Sequence, residues 1–343
     1  MRETRLKYFL LYANCIPVKG AKRSIICDLQ LGRYKFIPNI LFEILTKHRN
    51  FPLEKIKKSY NHTFDRGIDT YLKLLTDDEW GFYTNDPDVF PKMDLKWDFP
   101  GLISNAIIDV DKDSNHNYNT IFDQLDSLGC TALQIRFLYN IDLVFLEKIL
   151  NRTNNGNLSY IEIYLKYNST LQISEIKKIL IKNIRVRLIY IYGAGKNELI
   201  EFDSNLGRIF FIRESISFSS HCGYVNDDYF QVNVSLFTES QKFNTCLNRK
   251  VTIDYKGQIK NCPYTNETYG NINEIKLPDV IKTTTFKKYW GINKDQIEIC
   301  KDCEFRYICT DCRAFLKNEN NLHSKPFHCS YNPYTATWEN TIS

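Results

Sequence analysis

The chain has 343 residues, is 43% hydrophobic and 14% aromatic, and carries a formal net charge of +5. This length and apolar content predict two or three domains with buried cores and exclude a disordered tail protein. Because acidic and basic residues alternate without a long Lys/Arg block, we expect no nucleic-acid partner. No apolar run approaches the roughly eighteen residues of a membrane span, and no signal peptide is evident. We therefore expect a cytoplasmic protein with no membrane partner.

Residues 1–95 are predicted to form an N-terminal winged-helix-like α+β domain. The pattern indicates two strands of a hairpin, 8–17 and 23–29, and a short third strand at 34–37. Prolines stand at the start of the first two of three predicted helices. The helices and a closing β wing are expected at 39–48, 52–60, 64–75 and 80–83.

The order of these elements resembles the precursor-recognition element of enzymes that modify ribosomally made peptides. Ile25–Asp28, Leu31–Tyr34 and the helix ending in Ile44-Leu45 carry the resemblance. It implies that a leader peptide adds a strand to the sheet edge beside the third helix. A generic winged helix with another partner, or a purely structural domain, is the alternative. The peptide-binding residues that the resemblance implies are Ile25, Ile26, Cys27, Leu29, Ile68 and Tyr71.

The central part of the chain, residues 96–220, alternates strands with helices after a proline-containing linker at 86–100. This alternation predicts βαβ units and a parallel sheet. Four or five strands are too few for a closed eight-fold barrel, so we expect a partial βα barrel or a short parallel sheet. The strands are expected at 105–110, 132–139, 160–167, 186–192 and 208–212, and the helices at 118–128, 143–150 and 174–181. The fold class of the whole chain is therefore multi-domain α/β.

The loops after these strands are polar and carry no recognisable catalytic motif. Gly193–Lys196 lacks the spacing of a phosphate-binding loop, so it is interpreted as an ordinary strand-to-helix turn. Asp109 and Asp111 are interpreted as a solvated strand end rather than a working carboxylate pair.

Cysteine is concentrated near the end of the chain. Five residues follow the pattern Cys300-x2-Cys303-x5-Cys309-x2-Cys312-x16-Cys329, and Cys246 and Cys262 precede them. In a reducing compartment such clusters bind metal more often than they form disulfides. Zinc is one alternative, but zinc ribbons usually leave roughly fifteen to twenty residues between their Cys pairs. Burial in apolar cores is predicted instead for Cys15, Cys27 and Cys130.

The C-terminal region resembles the SPASM domain, an extension of many radical-SAM enzymes that modify peptides. The resemblance is carried by the five-cysteine run, Asp254-x2-Gly257-x4-Cys262 and Tyr269–Ile272. It implies a small Cys-rich domain at 221–343 that holds two auxiliary 4Fe-4S clusters. By position, the cluster II ligands are Cys300, Cys303, Cys309 and Cys329, and the cluster I ligands are Cys246, Cys262 and Cys312. The fourth cluster I ligand is Cys222, a substrate group or water, and a free loop thiol is the alternative role for Cys222.

A radical-SAM enzyme needs Cys-x3-Cys-x2-Cys after its first barrel strand, because three thiolates leave one iron free for S-adenosylmethionine. The corresponding loop, Asp111–Asn117, contains no cysteine, and 136–140 lacks the glycine-rich acidic signature that holds the cofactor's amino group. We therefore expect a degenerate barrel that neither binds nor cleaves S-adenosylmethionine.

Taken together, the three predicted domains resemble the SPASM-domain peptide maturase of grasp-with-spasm systems. The resemblance implies a role in maturing a ribosomal precursor peptide beside an ATP-grasp ligase, without supplying a reaction. Two alternatives stay open. One is a redox or Lewis-acid enzyme that acts on the peptide through an open cluster site. The other is a zinc-stabilised peptide-binding adaptor.

Overall fold

The computed structural model describes residues 6–154, 156–202, 206–215 and 222–339. They form two compact units that each combine distant parts of the chain. Unit 1 comprises 1–98, 223–245 and 292–343, and unit 2 comprises 99–222 and 246–291. The division into three domains stays a prediction, because a compact unit can contain more than one domain. Among the described residues, no helix is both long and apolar enough to cross a bilayer.

Unit 1 begins with four short strands, β1 (Tyr8–Leu11), β2 (Cys15–Val18), β3 (Ser24–Asp28) and β4 (Arg33–Ile37). The last three form an antiparallel sheet in the order β2-β3-β4, whereas β1 pairs with β5 (Gly81–Thr84). The single strand predicted over 8–17 is therefore wrong. A turn in which the Cys15 N–H donates to the Tyr12 carbonyl (2.9 Å) divides it into two strands of different sheets.

The three predicted helices are present as α1 (Asn39–Lys47), α2 (Leu53–Ser59) and α3 (Asp65–Asp77). A proline stands immediately before α1 and before α2, where its missing N–H breaks no helical hydrogen bond. Each helix buries one apolar stripe at the spacing that a helical period requires. The helices and the first sheet share a core that includes Leu41, Ile44, Ile56, Ile68, Leu72, Leu75 and Trp80. The winged-helix assignment stays a prediction.

A second core in unit 1 lies on the other face of the β2-β3-β4 sheet. Successive strand residues point to opposite faces, so Ile26 enters the helix core while Ile25 and Cys27 enter this second core. There they meet Phe237 of α7 (Val234–Ser240) and Phe305 beside the cysteine run. The small hairpin β14 (Tyr331–Asn332) and β15 (Thr337–Trp338) completes the unit. The sheet is thus covered on both faces.

Unit 2 contains a mixed eight-stranded sheet in the order β10-β11-β9-β8-β7-β6-β12-β13. All pairs from β11 to β12 are parallel, and only the two outer pairs are antiparallel. The strands are β6 (Asn105–Val110), β7 (Ala132–Phe137), β8 (Tyr160–Lys166), β9 (Val186–Tyr192), β10 (Glu198–Ile200), β11 (Arg208–Ile212), β12 (Lys250–Ile253) and β13 (Ile259–Lys260). The helices are α4 (Tyr118–Ser127), α5 (Leu143–Asn151), α6 (Ile173–Lys182) and α8 (Leu277–Lys282).

The prediction of a parallel sheet with connecting helices is confirmed, but the predicted strand count is too low. β12 pairs with β6, although the two strands are separated by more than a hundred residues. The sequence of β12 and β13 is typical of an isolated hairpin. No local pattern indicates that β12 also pairs in parallel with β6. This pairing places Cys246, which precedes β12, and Cys262, which follows β13, at the edge of the unit 2 sheet.

Candidate metal centre and its surroundings

Four of the predicted ligands lie together in unit 1. Cys300 begins a one-turn 3-10 helix (Cys300–Asp302), and its carbonyl accepts a hydrogen bond of 3.0 Å from the Cys303 N–H. Cys309 follows the buried Ile308, and Cys329 is held by a parallel bridge to Val225. The Cys329 sulfur is close enough to raise the pKa values of Cys300 and Cys309, and Cys309 and Cys300 in turn raise the pKa of Cys303. We call these four residues the cluster II cysteines.

Burial raises the pKa values of three of the four cluster II thiols. It raises the pKa of Cys309 to about 12 and also raises the pKa values of Cys300 and Cys303. A metal deprotonates a coordinating thiol outright, so ligation by these residues would release protons and be favoured at higher pH.

Two buried cations stand beside the cluster II cysteines. Lys294 is 5% exposed, and Arg313 is 3% exposed. Both contact the buried Asp311, at 3.5 Å from the Lys294 Nζ and 2.8 Å from the Arg313 guanidinium. Burial works against the charge of Lys294, but the neighbouring Cys309 and Cys300 sulfurs and Asp311 hold its pKa above its ordinary value.

The side-chain cations at this site outnumber the carboxylates, so an anion is needed to balance them. One carboxylate faces two cations, and the buried Nε of Arg313 has no hydrogen-bond partner among the described residues. Buried charges are stable when they are paired. A thiolate-ligated iron–sulfur cluster is anionic and accepts hydrogen bonds at its sulfurs, so the donor set and the charges here fit such a group.

A second group of cysteines lies in unit 2. Cys246, Cys262 and Cys222 all act electrostatically on Lys250, whose ammonium donates to the Cys246 sulfur at 3.4 Å. Burial first, and then the neighbouring Cys246, raises the pKa of Cys262 to about 12. Within the part of the chain that the structure describes, no three Cys, His, Asp or Glu side chains form a ready-made site for a single metal ion.

The structure places Cys222 in one group with Cys246 and Cys262. The sequence had left the role of Cys222 open. The remaining predicted cluster I ligand, Cys312, belongs to unit 1. There a Cβ on Gly223 would stand 2.8 Å from the Cys312 sulfur, so only glycine, which also has a φ of +81°, fits this approach. The assignment of ligands to two clusters stays a prediction.

Replacing Cys222 by serine is expected to remove the cluster I iron and leave cluster II. The reason is that Cys222 is one of three thiols gathered around Lys250. Iron content should then fall by about four atoms per chain, the content of one 4Fe-4S cluster. Cys130→Ala, a change in the buried unit 2 core, is the control and should leave the metal content unchanged. Full iron content in Cys222→Ser would show that Cys222 is not a required cluster ligand.

The expectation that Asp109 belongs to a solvated strand end is wrong. Asp109 is 2% exposed and forms a two-point ion pair with Arg136, with N–O distances of 2.6 and 2.7 Å. The two residues are register partners on β6 and β7. Arg136 also donates to the Tyr264 hydroxyl at 2.9 Å, and the Tyr264 backbone N–H donates to Cys262. The ion pair therefore supports the segment that carries Cys262.

The residues expected to bind a peptide lie mostly inside unit 1. Ile25, Ile26 and Cys27 are fully buried in β3, which has a partner strand on each side. Leu29 and Ile68 are 4% exposed, and only Tyr71 on α3, at 42%, is open to solvent. The edge strands of this sheet are β2 and β4, so an added strand cannot pair with β3. The assignment of peptide contacts to these residues stays a prediction, as does peptide binding itself.

Comparison with known proteins bears on the cysteine-rich segment. Residues 245–304 match the SPASM family, described as an iron-sulfur cluster-binding domain. The prediction of a SPASM domain is confirmed for this segment. The match includes Cys246, Cys262, Cys300 and Cys303, and it ends before Cys309.

Two curated relatives match about a quarter of the chain. The AdoMet-dependent heme synthase of Oleidesulfovibrio alaskensis is 24% identical over 83 residues, 24% of this chain and 21% of that protein. The AdoMet-dependent heme synthase of Nitratidesulfovibrio vulgaris is 26% identical over 87 residues, 25% of this chain and 23% of that protein. The chain thus spans only about a fifth of the length of these relatives.

Two solved structures of Streptococcus suis SuiB also align with the chain, at 13% identity. The structure bound to S-adenosylmethionine covers 93% of this chain and 98% of SuiB, with a TM-score of 0.33. The structure bound to the precursor peptide SuiA covers 92% of this chain and 98% of SuiB, with a TM-score of 0.30.

Proposed function

We propose that this chain is an iron–sulfur component of a system that matures a ribosomally made peptide. The observation that carries the proposal is the gathering of cysteines into two groups, each beside a lysine, around a segment that matches an iron–sulfur domain. The experiment that tests it measures iron and acid-labile sulfide in the purified protein, together with saturable binding of a ribosomally made precursor peptide.

Two 4Fe-4S clusters are proposed, with the ligand sets given by the resemblance. Cys300, Cys303, Cys309 and Cys329 would hold cluster II. Cys246, Cys262 and Cys312 would hold cluster I, and its fourth ligand would be Cys222. When bound, such clusters supply electron transfer or structural cross-linking. The chain's own residues bury the site, neutralise its charge and position the thiols.

The β4 edge is the proposed docking site for the leader peptide. In the described part of the chain, the β4 backbone pairs only with β3. β4 lies beside the end of α3, because Asp78 accepts from Lys35 at 2.7 Å and from Arg33 at 3.0 Å. Tyr71 and Leu74, both more than 40% exposed, lie on the helix stripe that leads to Asp78. An added strand would gain backbone hydrogen bonds from β4 and apolar contacts from α3.

The opposite edge, β2, is less suited to strand addition. Pro17 lies within β2 and has no N–H to donate. Ile16 packs in the same core as Met93 and Leu95, and these residues with Pro17 line a cleft beside the strand. The proposal therefore predicts that the peptide adds to the β4 edge and not to the β2 edge.

Adding the precursor peptide is expected to protect the backbone amides of β4 from hydrogen exchange. New backbone hydrogen bonds at an open edge slow exchange, whereas β2 amides should keep their exchange rates. Hydrogen–deuterium exchange with mass spectrometry, with and without peptide, measures both strands in one sample. A scrambled peptide of the same composition is the control. Protection of β2 alone, or of neither strand, would contradict the β4 site.

We further propose that the chain works beside an ATP-grasp ligase in the cytoplasm and does not cleave S-adenosylmethionine. The loop after β6 has no cysteine, and its Ser114 hydroxyl lies 3.0 Å from the Asp111 carboxylate and donates to the Tyr255 carbonyl at 2.7 Å. The Asp109–Arg136 pair occupies the ends of the two strands that precede such loops. These features support the absence of a cofactor site at this position.

A second candidate function is a redox or Lewis-acid enzyme that uses cluster I. It is favoured only if Cys222 is not a ligand, because an iron would then stay open to the peptide. Precursor turnover by the ligase discriminates the two functions. Turnover that proceeds unchanged after Cys246, Cys262 and Cys312 are replaced by serine would exclude the enzyme function.

A further inference from the structure

The lysine beside the cluster II cysteines has an incompletely balanced charge. Lys294 begins a short 3-10 helix that Asn293 caps, which fixes its backbone next to the cysteine run. Its nearest carboxylate, Asp311, stands 3.5 Å away and is bound more closely by Arg313, at 2.8 Å. One carboxylate therefore serves two cations, and the ammonium of Lys294 is close enough to Cys309, Cys300 and Cys329 to interact with them electrostatically.

Lys250 repeats this arrangement in unit 2. β12 and β13 pair Thr252 with Lys260, and extending this register by two residues places Lys250 opposite Cys262. Its ammonium donates to the Cys246 sulfur at 3.4 Å. Lys260 on the neighbouring strand has a carboxylate partner, Asp254, at 3.3 Å. Among the described residues, no carboxylate forms an ion pair with Lys250.

A fixed positive charge next to a metal–thiolate centre has a predictable effect. The reduced cluster carries one more negative charge than the oxidised cluster, so a nearby ammonium stabilises the reduced form more. The geometry points to Lys294 and Lys250 as the counter-charges of two separate clusters, each of which raises the reduction potential of its own cluster. This inference rests on the proposed iron–sulfur function and adds residues that are not ligands.

The test is a redox titration of the anaerobically reconstituted full chain, followed by electron paramagnetic resonance. Lys294→Met is expected to lower one of the two midpoint potentials by about 59 mV or more, a tenfold change in a one-electron equilibrium constant. Lys250→Met should lower the other potential by a similar amount. Lys294→Arg and Lys250→Arg keep the positive charge, so their midpoint potentials should stay close to those of the wild-type chain.

The controls are Lys301→Met, next to Cys300 in sequence, and Lys256→Met, in the turn between β12 and β13; both remove exposed lysines. Potentials in Lys294→Met and Lys250→Met that match those of the controls would overturn the inference, as would an equal shift of both clusters in each variant. If neither the Met nor the Arg variant binds iron, the lysines act in cluster assembly, and the inference is also wrong. Failure of the wild-type chain to bind iron would instead overturn the proposed function.

Discussion

Replacing Cys309 by serine is expected to remove about half of the bound iron. Cys309 is buried, and its thiol is close to those of Cys300 and Cys329, so its loss leaves cluster II with three ligands around two buried cations. Iron should fall from about eight to about four atoms per chain, with sulfide in parallel. Cys262→Ser should remove the other half, because Cys262 belongs to the separate group around Lys250.

The control for this pair of variants is Cys15→Ala. Cys15 is 3% exposed and lies in the helix core of unit 1, remote in sequence from both groups. Its loss should lower stability without changing the metal content. Loss of all iron in Cys309→Ser alone would mean that the chain has one centre instead of two. Unchanged iron in both serine variants would contradict the ligand assignment.

Replacing Arg136 by methionine is expected to lower the free energy of unfolding by about 3–5 kcal/mol. The change leaves the carboxylate of Asp109 buried in the unit 2 sheet without its cation. Urea unfolding followed by circular dichroism measures the effect. Replacing both residues, with Asp109→Leu and Arg136→Met, should recover most of the loss, since an apolar pair of similar volume does not leave a buried charge.

An exposed ion pair in the same sheet supplies the matched control. Arg208 on β11 stands 3.2 Å from Glu201, and their side chains are 59% and 57% exposed. Arg208→Met should change stability by at most about 1 kcal/mol, because water and salt screen an exposed pair. Equal losses in Arg136→Met and Arg208→Met would contradict the assignment of a structural role to the buried pair.

Local patterns were enough to predict the helices α1 to α6 and the parallel strands β6 to β9. The runs in β6 to β9 are apolar and β-branched and alternate with amphipathic helices, so both the element types and the parallel pairing follow from short stretches of sequence. The SPASM segment was predicted from its resemblance to a known family, which the cysteine spacing carries. A family resemblance then supplied the ligand sets, which spacing alone does not give.

Long-range pairing was harder to predict. The partnership of β12 with β6 and the burial of β3 between two cores depend on contacts between distant residues, and neither leaves a local pattern. One signal was available and overlooked. Asp109 and Arg136 are opposite charges at equivalent positions in two adjacent apolar strands, which predicts a buried ion pair. Lys294, Arg313 and Lys250 carried no such signal, because a lone charge in a polar segment is usually solvated.

The central claim is that this chain holds two iron–sulfur clusters, and metal analysis of the wild-type protein tests it most directly. Iron, acid-labile sulfide and zinc are measured in anaerobically purified protein, together with a visible absorption spectrum. The account predicts about eight irons per chain with matching sulfide, as two 4Fe-4S clusters require, and little zinc. Zinc alone, or no metal even after reconstitution, would contradict it and leave a peptide-binding adaptor without metal chemistry of its own.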